Sequence, residues 1–196
     1  MTLGAPTGLR QIRPGTRSSG RTASNAGCSI TVESDGVPVA YLVDVIEHVE
    51  VSREIKASAD EVWAAVSDVT RMGEWSPECH TCRWNDESAP PGVGSMFTGE
   101  NRNGDHEWST ECEVTEWDPG RAFAFDGVFG DLRFAKWAYR IEPTEDGCLV
   151  TEIWDEGRPP EVIEFTATIS GVAERAEHNR RTMEQTLERL AAAVEH

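Results

Sequence analysis

The stretch Cys79-His80-Thr81-Cys82 is a place where residue type and spacing could make chemistry, because two thiols three residues apart can hold a metal or close a disulfide. A haem attachment would need His directly after the second cysteine, and Arg83 stands there. A structural zinc site would want a second such pair, and the chain has none; Cys112 and His106 are the conceivable extra ligands. Read as a strand, residues 79–84 turn positions i and i+3 to opposite faces, roughly 10 Å apart at ~3.3 Å per residue. Only a tight turn after Pro77 would bring the sulfurs within bonding reach. The expectation is one buried and one exposed thiol. A zinc or redox role for Cys79 and Cys82 stands as a lesser alternative.

Glu78, Glu100, His106, Asp126 and His178 are the candidate acid–base groups. A carboxylate facing an apolar hollow has its pKa raised by desolvation, which is how a general acid or base is tuned. Glu78 is favoured because it closes the turn Trp75-Ser76-Pro77-Glu78. His178 and Asn179 interrupt the apolar stripe of a helix, facing either a hollow or solvent. The chain has seven tryptophans. Trp75, Phe97, Trp108, Phe125, Trp137, Tyr139 and Trp154 fall on strands or at a helix end, where large rings either pack as core or line a ligand pocket. Trp137, Tyr139 and Ile141 share one parity, as do Phe123 and Phe125, which assigns them to the inward face. No metal and no cofactor is expected.

The elements that must position these side chains begin with YLVDVIEHVEVSREIK, residues 41–56, a long strand with Val45, Val49, Val51 and Ile55 on one side. A helix follows, with Ser58 as N-cap and Asp60 and Glu61 in its first turn. A second short helix spans Thr70 to Trp75, before Pro77. From Cys79 to about Asp155 six strands are separated by turn signals: Pro90-Pro91-Gly92, Asn103-Gly104, Asp118-Pro119-Gly120, Gly127 to Asp131 and Glu145-Asp146-Gly147. Residues 156–170 contain VIEFTATI, which reads as strand, loop or the approach to a helix. The long helix runs from about Gly171 to Glu195, with Val172, Ala176, Met183, Leu187, Leu190 and Val194 on its buried stripe. The fold class is α+β: a seven-stranded antiparallel sheet that must cover one apolar face, and only the last helix is long enough to do it. A curved sheet around one helix leaves a cavity between them.

Charge narrows the partners. The chain has 18 basic and 35 acidic residues, and residues 33–196 alone carry 14 against 35, a net of −21. A body so negative does not bind nucleic acid or anionic membrane. Arg10, Arg13, Arg17 and Arg21 lie in a Gly/Ser-rich segment that reads as a flexible extension, residues 1–40, with the folded domain at 41–196. An organellar transit peptide shares that composition, but Pro14 and four glycines would interrupt its amphipathic helix. No apolar run approaches the ~20 residues of a membrane span. Five cysteines, an odd number spread along the chain, read as reduced thiols, and the expected location is the cytoplasm.

The order of elements, together with SADEVWAAVSDVTRMGEWSPE (58–78), WDPGRAFAF (117–125), WAYRIEP (137–143) and EDGCLVTE (145–152), resembles the helix-grip fold of the START-like, or SRPBCC, superfamily. The likeness is to its actinobacterial polyketide cyclase/dehydrase-like branch and covers about residues 46–195. It implies a curved sheet gripping the C-terminal helix and an internal pocket for a lipid, polyketide or aromatic molecule. In some relatives ring closure or dehydration accompanies binding. The resemblance also implies a rival: some START-like relatives are stress or toxin-like modules that bind macromolecules, here a basic protein partner. It supplies no catalytic triad to carry over.

Overall fold

The computed structural model describes residues 29–34, 37–42 and 47–195. The arginine-bearing segment, read above as the bulk of a flexible extension, lies outside them. The chain divides into two compact units, Met1–Val45 and Ile46–His196. The first holds an antiparallel hairpin of β1 (Ser29–Ser34) and β2 (Val37–Leu42), in which Ser34 pairs with Val37. Tyr41 and Leu42 belong to that hairpin, so the long strand expected over 41–56 is shorter: β3 is His48–Ile55.

In the second unit, α1 (Ala59–Ser67) follows β3 and starts at a capping box. The Ser58 hydroxyl accepts from the Glu61 amide at 3.3 Å, while the Glu61 carboxylate accepts from the Ser58 amide at 2.9 Å. A 3-10 turn, Val69–Glu74, replaces the second short helix. Six strands follow: β4 (Cys79–Trp84), β5 (Met96–Asn103), β6 (His106–Asp118), β7 (Ala122–Phe129), β8 (Leu132–Pro143) and β9 (Cys148–Glu156). Their turns coincide with the glycine and proline signals in the sequence. The sheet order is β3-β9-β8-β7-β6-β5-β4, antiparallel throughout, so the first strand closes against the last through His48↔Asp155 to Ile55↔Cys148.

Two helices complete the unit, α2 (Pro160–Ser170) and α3 (Arg175–Val194). The first corrects the uncertain reading of 156–170. Its β-branched residues suit a strand, but Pro160 at the first helical position and Gly171 in the left-handed conformation (φ 68°) set helical limits. α3 has two halves with different jobs. Leu187, Leu190, Ala191 and Val194 join Val62, Val66, Val69, Ile141 and Val150 in a close-packed core. Toward the start of α3, Arg175, Asn179, Thr182 and Met183 face a hollow instead. This is the helix-grip α+β fold.

Candidate functional site

The hollow has a volume of about 600 Å³ and lies between the sheet, α2 and the first half of α3. Phe97, Trp108, Phe125, Trp137, Tyr139 and Trp154 line it, each carried there by an inward strand position. Trp75, assigned above to the same set, does not. It is 1% exposed and belongs to the core with Val69, while Ser76, Pro77 and Glu78 after it line the cavity. From α2, Val162, Phe165, Thr166 and Ile169 form one wall at helical spacing. Phe129 and Phe165 line the cavity while remaining 80% and 66% exposed, which places its mouth between the β7–β8 turn and α2.

The end of α2 is tied down. The carbonyl of Ser170 accepts from Asn103 Nδ2 at 2.9 Å, and the Ile169 carbonyl lies 3.1 Å from His106 Nδ1. His106 thus serves the cavity's architecture and stands apart from the thiols. Glu100 pairs with Arg83 at 3.1 Å and Asp126 with Arg133 at 3.0 Å, both away from the cavity wall.

Glu78 and His178, 100 residues apart in sequence, meet: His178 Nε2 is 2.9 Å from Glu78 Oε1. Arg175, which the sequence analysis did not single out, completes the group by donating to both carboxylate oxygens at 2.9 and 3.0 Å. The Arg175 guanidinium in turn lies 5.9 Å from the centre of the Trp108 ring, within cation–π range. Glu78 and Arg175 line the cavity, and His178 stands behind them. Burial pushes the Glu78 carboxyl up, but the bond to His178 and the Arg175 charge outweigh it and hold Glu78 below the usual carboxylate range. The raised pKa expected for Glu78 is therefore corrected.

Glu152 is the carboxyl that behaves as that expectation required, and the sequence reading did not single it out. It lies on β9 in the inward series Cys148, Val150, Glu152, Trp154 and is 4% exposed. Tyr139 on the neighbouring strand donates its hydroxyl to Glu152 Oε1 at 3.1 Å, while Oε2 has no partner among the described residues. Burial pushes Glu152 up to about 8, only partly offset by the Tyr139 bond, so it holds its proton at neutral pH. The inward parity was the available signal; the abundance of exposed acids elsewhere masked it. Asn179 also faces the cavity, fully buried, with neither Oδ1 nor Nδ2 partnered among the described residues.

The thiols require a second correction. Cys79 pairs with Asn101 but Thr81 pairs with Glu100, a register shift that makes His80 an extra residue in the strand. That bulge returns Cys82 to the face of Cys79. Both are buried, their sulfurs are 3.1 Å apart, and both line the cavity. The bulge has a close neighbour: a Cβ on Gly73 would sit 2.3 Å from the His80 carbonyl oxygen, so only glycine lets the 3-10 turn lie against it. The Cys82 thiol favours ionisation of Cys79, and that bond together with burial keeps the proton on Cys82. Among the described residues no three His, Cys, Asp or Glu side chains gather as a metal-ligand set. No helix among them is long and apolar enough to cross a membrane.

The sequence profile described as polyketide cyclase / dehydrase and lipid transport matches residues 47–195. A polyketide-cyclase-like protein of Corynebacterium glutamicum is 33% identical over 78% of this chain and 91% of its own, with a TM-score of 0.50. A protein of Chromobacterium violaceum shares the fold at 20% identity, over 76% of this chain and 98% of its own, with a TM-score of 0.55. The di-domain ARO/CYC protein of the steffimycin biosynthetic pathway shares it at 14% identity, over 77% of this chain and 51% of its own, with a TM-score of 0.60. No curated protein matches the chain. The chain belongs to the polyketide cyclase / dehydrase and lipid transport family.

Proposed function

We propose that this member of the polyketide cyclase / dehydrase and lipid transport family takes a hydrophobic small molecule (a lipid, polyketide or aromatic compound) into the hollow between its sheet, α2 and α3. The observation that carries the reading is the cavity of about 600 Å³, walled by Phe97, Phe125, Trp137 and Trp154 and presenting a mostly apolar surface. Its size falls within the ~300–1,000 Å³ of small-molecule sites. Apolar surface removed from water supplies the affinity, and exposed Phe129 and Phe165 give an apolar guest its first contact at the mouth.

The same walls suit acid–base chemistry of the cyclase or dehydrase kind. Loss of water needs a proton delivered to a leaving hydroxyl and a base for the proton on the adjacent carbon. Glu152 carries a proton at neutral pH, and Glu78, held ionised by Arg175 and His178, is the carboxylate facing the same space.

Native mass spectrometry of protein purified from its own host, paired with titration of the neutral dye Nile red, tests the reading. The expected result is a co-purifying apolar compound at one per chain, and saturable dye fluorescence that this compound abolishes. Protein that carries no guest and gives no saturable dye signal would refute it.

A further inference from the structure

Two nucleophilic groups of the cavity wall have no part in the binding and proton chemistry above: the thiols of Cys79 and Cys82. Their sulfurs are 3.1 Å apart, roughly 1 Å beyond the length of a disulfide bond. Three local features bring them together. The bulge at His80 turns Cys82 to the face of Cys79 at the expense of regular pairing with β5. Gly73 leaves room for the bulged backbone of His80. On β5, Gly99 lies against the pair, and a Cβ there would stand 3.3 Å from both sulfurs, tighter than ordinary contact. Cysteines that merely fill a core require none of this, since a regular strand would send Cys82 to the opposite face.

The pair also meets the hollow. Cys79 and Cys82 both line it and keep 7% and 5% of their surface, and Gly99 lines it with them. Of the other described cysteines, Cys112 lines the cavity and Cys148 does not. The bond from Cys82 lowers the Cys79 pKa against the opposing effect of burial, so the pair holds one sulfur ready to attack and a second that keeps its hydrogen.

We propose that Cys79 and Cys82 are a redox site, a dithiol in the cavity wall that reduces an organic hydroperoxide entering the hollow and closes to a disulfide. Cys79 sulfur attacks the terminal oxygen of R–O–OH; the O–O bond breaks, and the departing alkoxide takes the Cys79 proton and leaves as the alcohol. Cys82 sulfur then attacks the sulfur of the Cys79 sulfenic acid; the S–O bond breaks, and hydroxide leaves with the Cys82 proton as water. Two electrons pass from the thiols to the peroxide, and the products are a disulfide, an alcohol and water. An oxidant with an apolar body is the class these walls concentrate beside the sulfurs. Its delivery rests on the cavity-binding reading; the pairing of the thiols does not.

Peptide mapping of the full chain tests the proposal. Reduced protein at pH 7 is treated with cumene hydroperoxide or with hydrogen peroxide, quenched with iodoacetamide in denaturant and cut with trypsin. Cleavage after Arg71 and Arg83 places both cysteines on one peptide, apart from Cys112 and Cys148. That peptide should appear unalkylated and lighter by two hydrogens, while Cys112 and Cys148 stay alkylated. Cumene hydroperoxide should close the bond about tenfold faster than hydrogen peroxide, since part of its ring is buried on entry. Cys82→Ser should stop at a dimedone-reactive sulfenic acid on Cys79, and Cys79→Ser should react at least about tenfold more slowly. Thiols that stay alkylated with both oxidants, sulfinic acid without a bond between the two sulfurs, or equal rates for the two peroxides would each overturn the proposal. Mapping of the unmutated chain decides alone should either variant fail to fold. If Nile red binds saturably while cumene hydroperoxide leaves both thiols free, the redox site fails and the cavity reading stands. If no dye binds and the two peroxides act at equal rates, both fall.

Discussion

Glu78 and Glu152 face the same hollow, both are largely withdrawn from water, and they are held in opposite charge states. Desolvation pushes both upward. At Glu78 two donors from α3 answer it, one of them a permanent cation, and the carboxylate wins. At Glu152 only a neutral hydroxyl answers, and the proton stays. Burial therefore does not fix the ionisation of a pocket acid; the charge of the first neighbour does. The cavity consequently borders one carboxylate whose partners are complete and one carboxyl whose second oxygen has no partner among the described residues.

Breaking the incomplete side should give the largest effect. Glu152 ionises near 4.5 when unfolded and near 8 when folded, so between those values the folded state keeps a proton that the unfolded chain has released. Stability from this source is whole below pH 4.5 and is lost progressively as pH rises toward 8. Glu152→Gln keeps the shape and the acceptor for Tyr139 but cannot ionise. At pH 7 it should be more stable than the parent by up to about 3 kcal/mol, with the gap opening from pH 4.5 and levelling near 8. Urea midpoints across pH 4–9 measure it. Parallel curves for the two proteins would mean that Glu152 is ionised in the fold.

Breaking the complete side should cost somewhat less and run the other way with pH. Arg175→Met leaves Glu78 buried with His178 alone. Removing one partner of a buried pair costs ~3–5 kcal/mol, and the residual exposure of this pair reduces the expectation to about 2 kcal/mol. Because the folded-state pKa of Glu78 lies below its unfolded value, its contribution is present above about 4.5 and is lost as pH falls through the folded value. The R175M deficit should thus be largest at neutral pH and narrow in acid. A deficit independent of pH would show that Arg175 acts by packing against Trp108 and not through its charge.

What was legible in the sequence follows the same division between local and non-local causes. Asn103-Gly104, Asp118-Pro119-Gly120 and the Ser58 capping box act within a few residues, and the elements they delimit stand where they were read. The Cys79–Cys82 geometry was not legible, because a bulge at His80 exists only relative to the register of β5. Helix α2 was hidden by side chains whose local preference is for strands, and its capping residues were the better guide. At the site, Glu78 and His178 could be named from a turn and from a gap in a stripe. Arg175 precedes Asn179 by one turn on that same stripe, so its inward position was available from spacing. Glu152 was available from parity with Val150 and Trp154. What no local pattern supplies is the partner of each carboxylate, and the partner determines its charge.

The finest test of that distinction is the hydroxyl itself. Tyr139→Phe removes the one donor to Glu152 among the described residues and leaves the ring packed where it is. The Tyr139 bond works against burial by lowering the Glu152 pKa, so its loss should raise the folded-state value above the present 8 or so. In the parent, the decline of stability with pH flattens near 8; in Y139F it should continue upward in pH, with the two curves separating by about 1 kcal/mol, the worth of one such bond. In the Glu152→Gln background the same substitution should lose its pH dependence and keep only a constant offset, since no ionisation remains for the hydroxyl to bias. If Y139F separates from its parent equally in both backgrounds and at every pH, the phenol serves packing alone and does not bias the Glu152 proton.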